Sequence, residues 1–380
     1  MNLLLGGIPL GCDNIGDEAI IAAVVKMLKA SIPDAKLTVA TADPATVERL
    51  GVETVPAFGF AGTPVSGFVG IVSGFDTYIW CGATGLSDYP HVALDLIEIA
   101  QKAGVATYIW GVGMDDELNP AFFTAHGKRQ LVLKRLGLLG WYERRLQNQL
   151  RKRIASLLPH CRGVWLRDGQ SAAMLAKFGF PNAGIAADTA ILLAPEAVGR
   201  SSHPPTMGLC ISTQRRVADL DGLKRTIEAV RASGARVLGI PMNPKTDRAL
   251  LTRLGVECIE GTSPEAVMEA AAQCDVVLSS RLHLLILAAN VGTPGLGIAR
   301  GSKLANWLAN FGETVEGSVY DCDWDKVTSR VTAALNERGD WETRRAKAYI
   351  ALKARLERAR ADLVASIISA NSPLAKSQKY

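Results

Sequence analysis

Short apolar runs alternate with amphipathic stretches along almost the whole chain, the pattern of parallel strands joined by helices. In the first half, runs at 3–5, 37–40, 77–81, 106–111 and 163–166 predict strands. Helical spacing of apolar positions over 17–30, 92–103 and 170–178 predicts the helices between them. The rhythm breaks over 194–205, where Pro204 and Pro205 precede a new apolar run, so this stretch reads as a linker. Beyond it the alternation resumes, with strands at 207–211, 236–240 and 256–259 and helices at 220–232, 245–254 and 264–273. An apolar run at 274–278 follows, and a charged helical segment over 341–368 precedes a polar tail.

Two similar α/β halves and a closing helix predict two Rossmann-like domains in a GT-B-type arrangement with a C-terminal helix. The boundaries fall at 1–198, 206–340 and 341–380, with the ligand expected in the cleft between domains. A length of 380 residues suits two cores better than one. The net charge of +5, from 42 basic and 37 acidic residues, is too small for a nucleic-acid binder but suits an anionic substrate. The seven cysteines form no C-x-x-C pair, several adjoin apolar runs, and no apolar span reaches membrane length. A cytoplasmic protein is expected. The helical region 134–153 is an exception to the even charge distribution, with Arg144, Arg145, Arg151, Lys152 and Arg153 beside Trp141, Tyr142 and Leu146. A solvated face is the simpler reading; a surface touching anionic lipid at the inner face of the membrane is the sharper one.

The strongest chemical signal lies in Leu278-Ser279-Ser280-Arg281-Leu282-His283, which leads into the apolar 284–289. A buried helix has no reason to open with Arg and His unless an anion sits above it. Both side chains and the first free N–H groups of the helix would stand at the carboxyl end of a parallel strand. The next strand exit adds Arg300 and Lys303.

Four other strand exits carry weaker signals. Gly6-Gly7 and Gly11-Cys12-Asp13-Asn14-Ile15-Gly16-Asp17-Glu18 follow the first strand, where glycines allow a loop to fold over a ligand. Neither a G-x-G-x-x-G spacing nor a Walker lysine is present. Asp17 and Glu18 also suit the helix dipole, whereas Asn14 is harder to explain structurally. Trp80-Cys81-Gly82-Ala83 and Trp110-Gly111-Val112-Gly113 read as tight turns. Arg167-Asp168 ends a buried strand; Asp168 suits a helix cap, which leaves Arg167 unexplained. The remaining histidines, His91, His126, His160 and His203, show no metal-ligand spacing, so no metal site is expected.

Taken in order, Asn14-x-Gly16-Asp17-Glu18, Arg167-Asp168-x-x-Ser171, Ala187-Asp188 and Arg281-Leu282-His283 with a later Lys303 resemble the polysaccharide pyruvyl transferase family. The resemblance runs from the first strand to about Phe311, and its most specific part is Arg-Leu-His. It implies a GT-B-like fold and transfer of a pyruvyl group from phosphoenolpyruvate to a sugar of a cell-surface polysaccharide or its lipid-linked precursor. The product is a ketal, phosphate is released, and no cofactor is implied. It further implies Arg281, Leu282, Arg167, Lys303, Asn14 and Gly16 as substrate-binding positions, to which the strand-exit pattern adds Arg300, with His283, Asp17 and Glu18 as proton carriers. Arginine forks suit both anions of such a donor, and an imidazole titrates near neutral pH.

Two departures stand out: Cys81-Gly82-Ala83 replaces a run of three glycines, and Ala299-Arg300 stands where a tyrosine is common. Acceptor-binding loops are expected within 55–74, which is rich in Gly and Pro. The alternatives are a GT-B glycosyltransferase using a nucleotide sugar, with Glu313 or Glu316 as a weak ribose-binding candidate, and a non-catalytic glycan-binding protein of the same fold.

Overall fold

A computed structural model describes residues 1–195, 204–212, 217, 219–337 and 339–372. Most of the linker expected over 194–205, with His203, and the tail from 373 onward lie outside them. The chain divides into two compact units. The first comprises Met1–Cys12, Val24–Thr189 and the chain from Ala354 on; the second comprises Asp13–Ala23 and Ala190–Lys353. The start of the first helix, Ile15–Ser31, therefore counts with the second unit. Linear boundaries cannot express such a division.

The first unit holds β1 (Asn2–Gly6), β2 (Lys36–Thr41), β3 (Glu53–Pro56), β4 (Thr77–Cys81), β5 (Ala106–Val112), β6 (Gly163–Leu166) and β7 (Gly184–Ile185). The second holds β8 (Thr206–Cys210), β9 (Arg236–Gly239), β10 (Glu257–Cys258), β11 (Val276–Ser279), β12 (Gly295–Ala299) and β13 (Gly317–Ser318). The sheet orders are β3-β2-β1-β4-β5-β6-β7 and β10-β9-β8-β11-β12-β13, with parallel pairing throughout. Both follow the Rossmann order, which reverses direction between the first and fourth strands and opens a crevice at their carboxyl ends. In the second unit that point lies between β8 and β11, so Ser279–His283 leaves the sheet where ligands bind in such folds.

The predicted helix over 220–232 is observed as Leu220–Ala232, and its buried Leu223, Ile227 and Val230 pack into the second core with Leu209, Val237 and Leu278. Three strands escape the patterning, and all lie at sheet edges: β3 is largely exposed, and β7 and β13 have only two residues each. A helix at Trp324–Asn336 is also additional, and buries Trp324, Val327 and Val331. The segment 55–74 has more order than its composition suggests. Phe58 and Phe68 pack with ring centroids 5.6 Å apart, and Phe68 continues onto Tyr78 at 5.2 Å. The closing helix spans Trp341–Ala370. In the second unit, Tyr349 Oη donates to Asn290 Oδ1 at 2.6 Å. In the first, Arg360 Nη1 donates to Ser31 Oγ at 2.8 Å and Ser366 Oγ lies 3.1 Å from Tyr108 Oη.

Gly7 serves packing. At φ 79° it lies against Trp80, whose indole would collide with a Cβ at 2.5 Å. Ala83, one of the departures noted above, sits in the left-handed region at φ 57°, and its carbonyl accepts the Gly113 N–H at 2.7 Å. A side chain there costs roughly 1–2 kcal/mol, less the entropy that glycine loses on folding. Ala83→Gly should therefore stabilise the protein by about 1 kcal/mol, measured as a higher urea midpoint with unchanged slope. A lower midpoint would show that this backbone carries no strain.

Candidate active site

The second unit gathers residues from four strand exits and from the start of the first helix. That helix begins at Ile15, whose N–H donates to the Met242 carbonyl at 3.1 Å, beyond the end of β9. Asn14 caps it: Oδ1 accepts the Gly16 N–H at 3.2 Å, and Nδ2 donates to Asp17 Oδ2 at 2.8 Å. Asn14 thus has a structural task that its flexible surroundings concealed, since it holds the Asp17 carboxylate. Gly16 is fixed by contact with His283. A Cβ on Gly16 would stand 2.3 Å from His283 Nδ1, so the imidazole occupies the space a larger residue would need.

Asp17 is almost fully buried, at 2% exposure. Burial pushes its carboxyl from the ordinary 3.8 to about 6, against the pull of His283, the Asn14 hydrogen bond, Lys303 and Arg281. Desolvation prevails over three cationic or protonatable neighbours. A carboxyl poised near 6 can both accept and release a proton close to neutral pH. Glu18, in the same turn, is half-buried.

Arg281 leaves β11 in extended conformation, and no side chain among the described residues caps the following helix Leu282–Asn290. Its N–H donates to Ser279 Oγ at 2.9 Å, and that hydroxyl donates back to the Arg281 carbonyl at 3.0 Å. From Leu284 to Asn290 every side chain is buried, which fixes the helix in the core and holds His283 in its first turn. The guanidinium is gripped by Asp247, which patterning did not single out. Nε donates to Oδ2 at 3.0 Å and Nη2 to Oδ1 at 2.8 Å, with Asp247 wholly buried. Asp247 Oδ2 also accepts the Asn243 N–H at 2.9 Å. Cys210 Sγ lies 3.5 Å from the same oxygen, and burial and that carboxylate push the thiol far up. In the sequence Asp247 reads as an ordinary acidic residue in the first turn of Thr246–Arg253. The two-point pair with Asp247 engages Nε and Nη2 of the Arg281 guanidinium.

Two serines join the exits of β8, β11 and β12. The Ser212 N–H donates to Ser280 Oγ at 2.8 Å, and Arg300 Nη1 donates to Ser212 Oγ at 3.1 Å. Lys303 is half-buried and within electrostatic reach of Asp17. Of the positions named from sequence, Asn14, Gly16, Asp17, Arg281, Leu282, His283 and Lys303 thus meet in one unit, with Arg300 on the next strand. Arg167 belongs to the first unit. Its Nε lies 3.2 Å from Asp168 Oδ2 and its Nη1 3.9 Å from Asp188 Oδ2. Asp168 also caps the helix Gly169–Lys177 by accepting the Ser171 N–H at 2.7 Å. Two carboxylates therefore account for the arginine that the strand pattern left unexplained. Among the described residues no cluster of three His, Cys, Asp or Glu side chains could hold a metal ion.

The raised Asp17 carboxyl means that the folded protein binds this proton more tightly than the unfolded chain does. Its ionised form therefore opposes folding above about pH 6, and the effect vanishes below the ordinary 3.8. Asp17→Asn should raise stability near pH 8 by about 3 kcal/mol and leave it unchanged near pH 3. Equal melting shifts at both pH values would contradict the assignment. Asp247→Asn, which breaks the fork on Arg281, should cost about 3–5 kcal/mol in urea unfolding.

The family model of polysaccharide pyruvyl transferase matches residues 14–302, which include every site residue above except Lys303. No curated protein sequence matches the chain. Among solved structures, a UDP-GlcNAc 2-epimerase from Neisseria meningitidis bound to UDP-GlcNAc superposes with a TM-score of 0.57 at 10% identity, covering 97% of this chain and 100% of that one. The S. aureus MnaA–UDP structure gives 0.55 at 10% identity, covering 91% and 90%. The spinosyn rhamnosyltransferase SpnG gives 0.53 at 15% identity, covering 97% and 100%. At such identities the likeness concerns the fold, a GT-B type with two parallel α/β sheets. On the extent of the family match, more than half its length, this chain belongs to the polysaccharide pyruvyl transferase family.

Proposed function

We propose that the protein transfers the pyruvyl group of phosphoenolpyruvate to two hydroxyls of one sugar, in a polysaccharide or its lipid-linked precursor. The observation that carries this reading is the buried Asp17 carboxyl beside His283, with Arg281 and Lys303 in electrostatic range. Phosphoenolpyruvate offers a phosphate and a carboxylate, and Arg281, Lys303 and Arg300 are the cations suited to them.

The chemistry balances with the groups present. His283 protonates the methylene carbon of the enol, and the adjacent carbon becomes electron-poor. The first sugar hydroxyl adds there and gives its proton to Asp17. The second hydroxyl then displaces phosphate at the same carbon, and its proton leaves with the phosphate or returns through His283. One methyl group, two C–O bonds and one free phosphate result. Desolvation places the Asp17 carboxyl where it can accept a proton and pass it on.

The nucleotide-sugar reading draws on fold likeness alone. Its ribose-binding candidates are already committed: Glu316 lies 3.1 Å from Arg330, and Glu313 pairs with Arg330 at 3.1 Å and Arg344 at 2.5 Å.

Incubation with phosphoenolpyruvate and a panel of lipid-linked sugars should give a ketal detectable by mass spectrometry, with equimolar phosphate. His283→Ala should lower the rate by about 100-fold or more. The rate should rise with pH through about 6 as Asp17 ionises. In a thermal-shift comparison phosphoenolpyruvate should stabilise the protein and nucleotide sugars should not. Stabilisation by nucleotide sugars alone would overturn the reading.

A further inference from the structure

The helices Gly127–Arg135 and Leu139–Leu157 of the first unit carry a surface that has no part in the chemistry proposed for Asp17 and His283. The stretch 127–157 holds nine of the chain's 42 Lys and Arg residues but only Glu143 of its 37 acidic ones. Without it, the net charge of +5 would become negative.

A solvated helix should show a polar outer face, and this one does not. Leu131 is 68% exposed, Leu136 63%, Val132 56% and Trp141 52%. Such exposed apolar side chains grouped together mark an interaction site. The inner face is well satisfied: Leu150 and Ile154 are buried, and Arg153 pairs with Asp95 at 2.7 Å and Glu98 at 3.1 Å. Glu143 accepts from Thr124 Oγ1 at 2.5 Å. On the outer side, Arg144, Arg151 and Lys152 have no carboxylate partner among the described residues. Arg145 lies over the Trp141 ring at 5.8 Å, and Arg129 over Tyr142 at 4.5 Å. Cations therefore flank an amphipathic indole and phenol on the same pair of helices that expose the leucines, a combination suited to the boundary between anionic headgroups and acyl chains. A second copy of this chain would bring the same positive charge against itself.

We propose that this surface docks the protein on an anionic phospholipid bilayer. Leu131, Val132, Leu136 and Trp141 enter the headgroup boundary, and Arg144, Arg151 and Lys152 meet lipid phosphates. The proposed attachment is peripheral; among the described residues no helix is long and apolar enough to cross a membrane. The inference is independent of the donor's identity.

The test is co-sedimentation of the full chain with vesicles of phosphatidylcholine alone and with one-third phosphatidylglycerol, at low and high salt. Binding is expected only with phosphatidylglycerol. Arg144→Glu/Lys152→Glu and, separately, Leu131→Ser/Leu136→Ser should each weaken it by about tenfold or more, with circular dichroism unchanged. Brominated lipids should quench tryptophan emission in the parent protein and much less in Trp141→Phe. Equal partition onto uncharged vesicles, or no binding at low salt, would overturn the proposal. So would a stable dimer that Leu131→Ser/Leu136→Ser converts to monomer while vesicle binding is absent.

Discussion

Asp17 is almost wholly buried in the first turn of the first helix. Ionising it there costs more than three positive or protonatable neighbours return. The rest of the site follows from that imbalance. Asn14 fixes the carboxylate from the preceding turn, and Gly16 leaves room for the His283 ring. Asp247 holds the Arg281 guanidinium in a two-point ion pair of its own. The arrangement keeps an acid poised to exchange a proton rather than a settled ion pair.

The doubly wound order supplies the frame. Each sheet reverses direction between its first and fourth strands, so the exits of β8 and β11 are neighbours. Ser212 and Ser280 join those exits, and Arg300 joins them from β12. The almost wholly apolar helix behind His283 pins the motif in the core, so the two polar residues at its start are held by the packing of those behind them. That packing explains how a chain can place Arg and His at the head of a buried helix without disordering it.

Much of the fold was legible because burial writes a period into the sequence. Strands buried on both faces, such as β4 and β8, are continuous apolar runs, and Leu220–Ala232 shows its helical stripe plainly. An exposed or two-residue edge strand need not carry that signal, which is why β3, β7 and β13 were silent. At the site, Arg281 and His283 stood out because they interrupt an apolar pattern. Asp247 did not, since an acidic residue in the first turn of a half-exposed helix is ordinary, and its value lies wholly in a tertiary contact. The grouping of Asp13–Ala23 with the second unit was hidden for the same reason: the Ile15 bond to Met242 joins residues more than two hundred positions apart. Arg167 shows the converse, a conspicuous residue whose partners Asp168 and Asp188 are already in place.

The central claim is that burial poises the Asp17 carboxyl to exchange a proton at about pH 6, and this can be measured without knowing the acceptor sugar. Carbon-13 labelling of aspartate, with the Asp17 resonance assigned by its absence in Asp17→Asn, gives a direct carboxyl titration. The account predicts a midpoint at about 6. A midpoint at the ordinary 3.8 would mean that the cations around Asp17 hold it as a permanent ion pair, and would contradict the account.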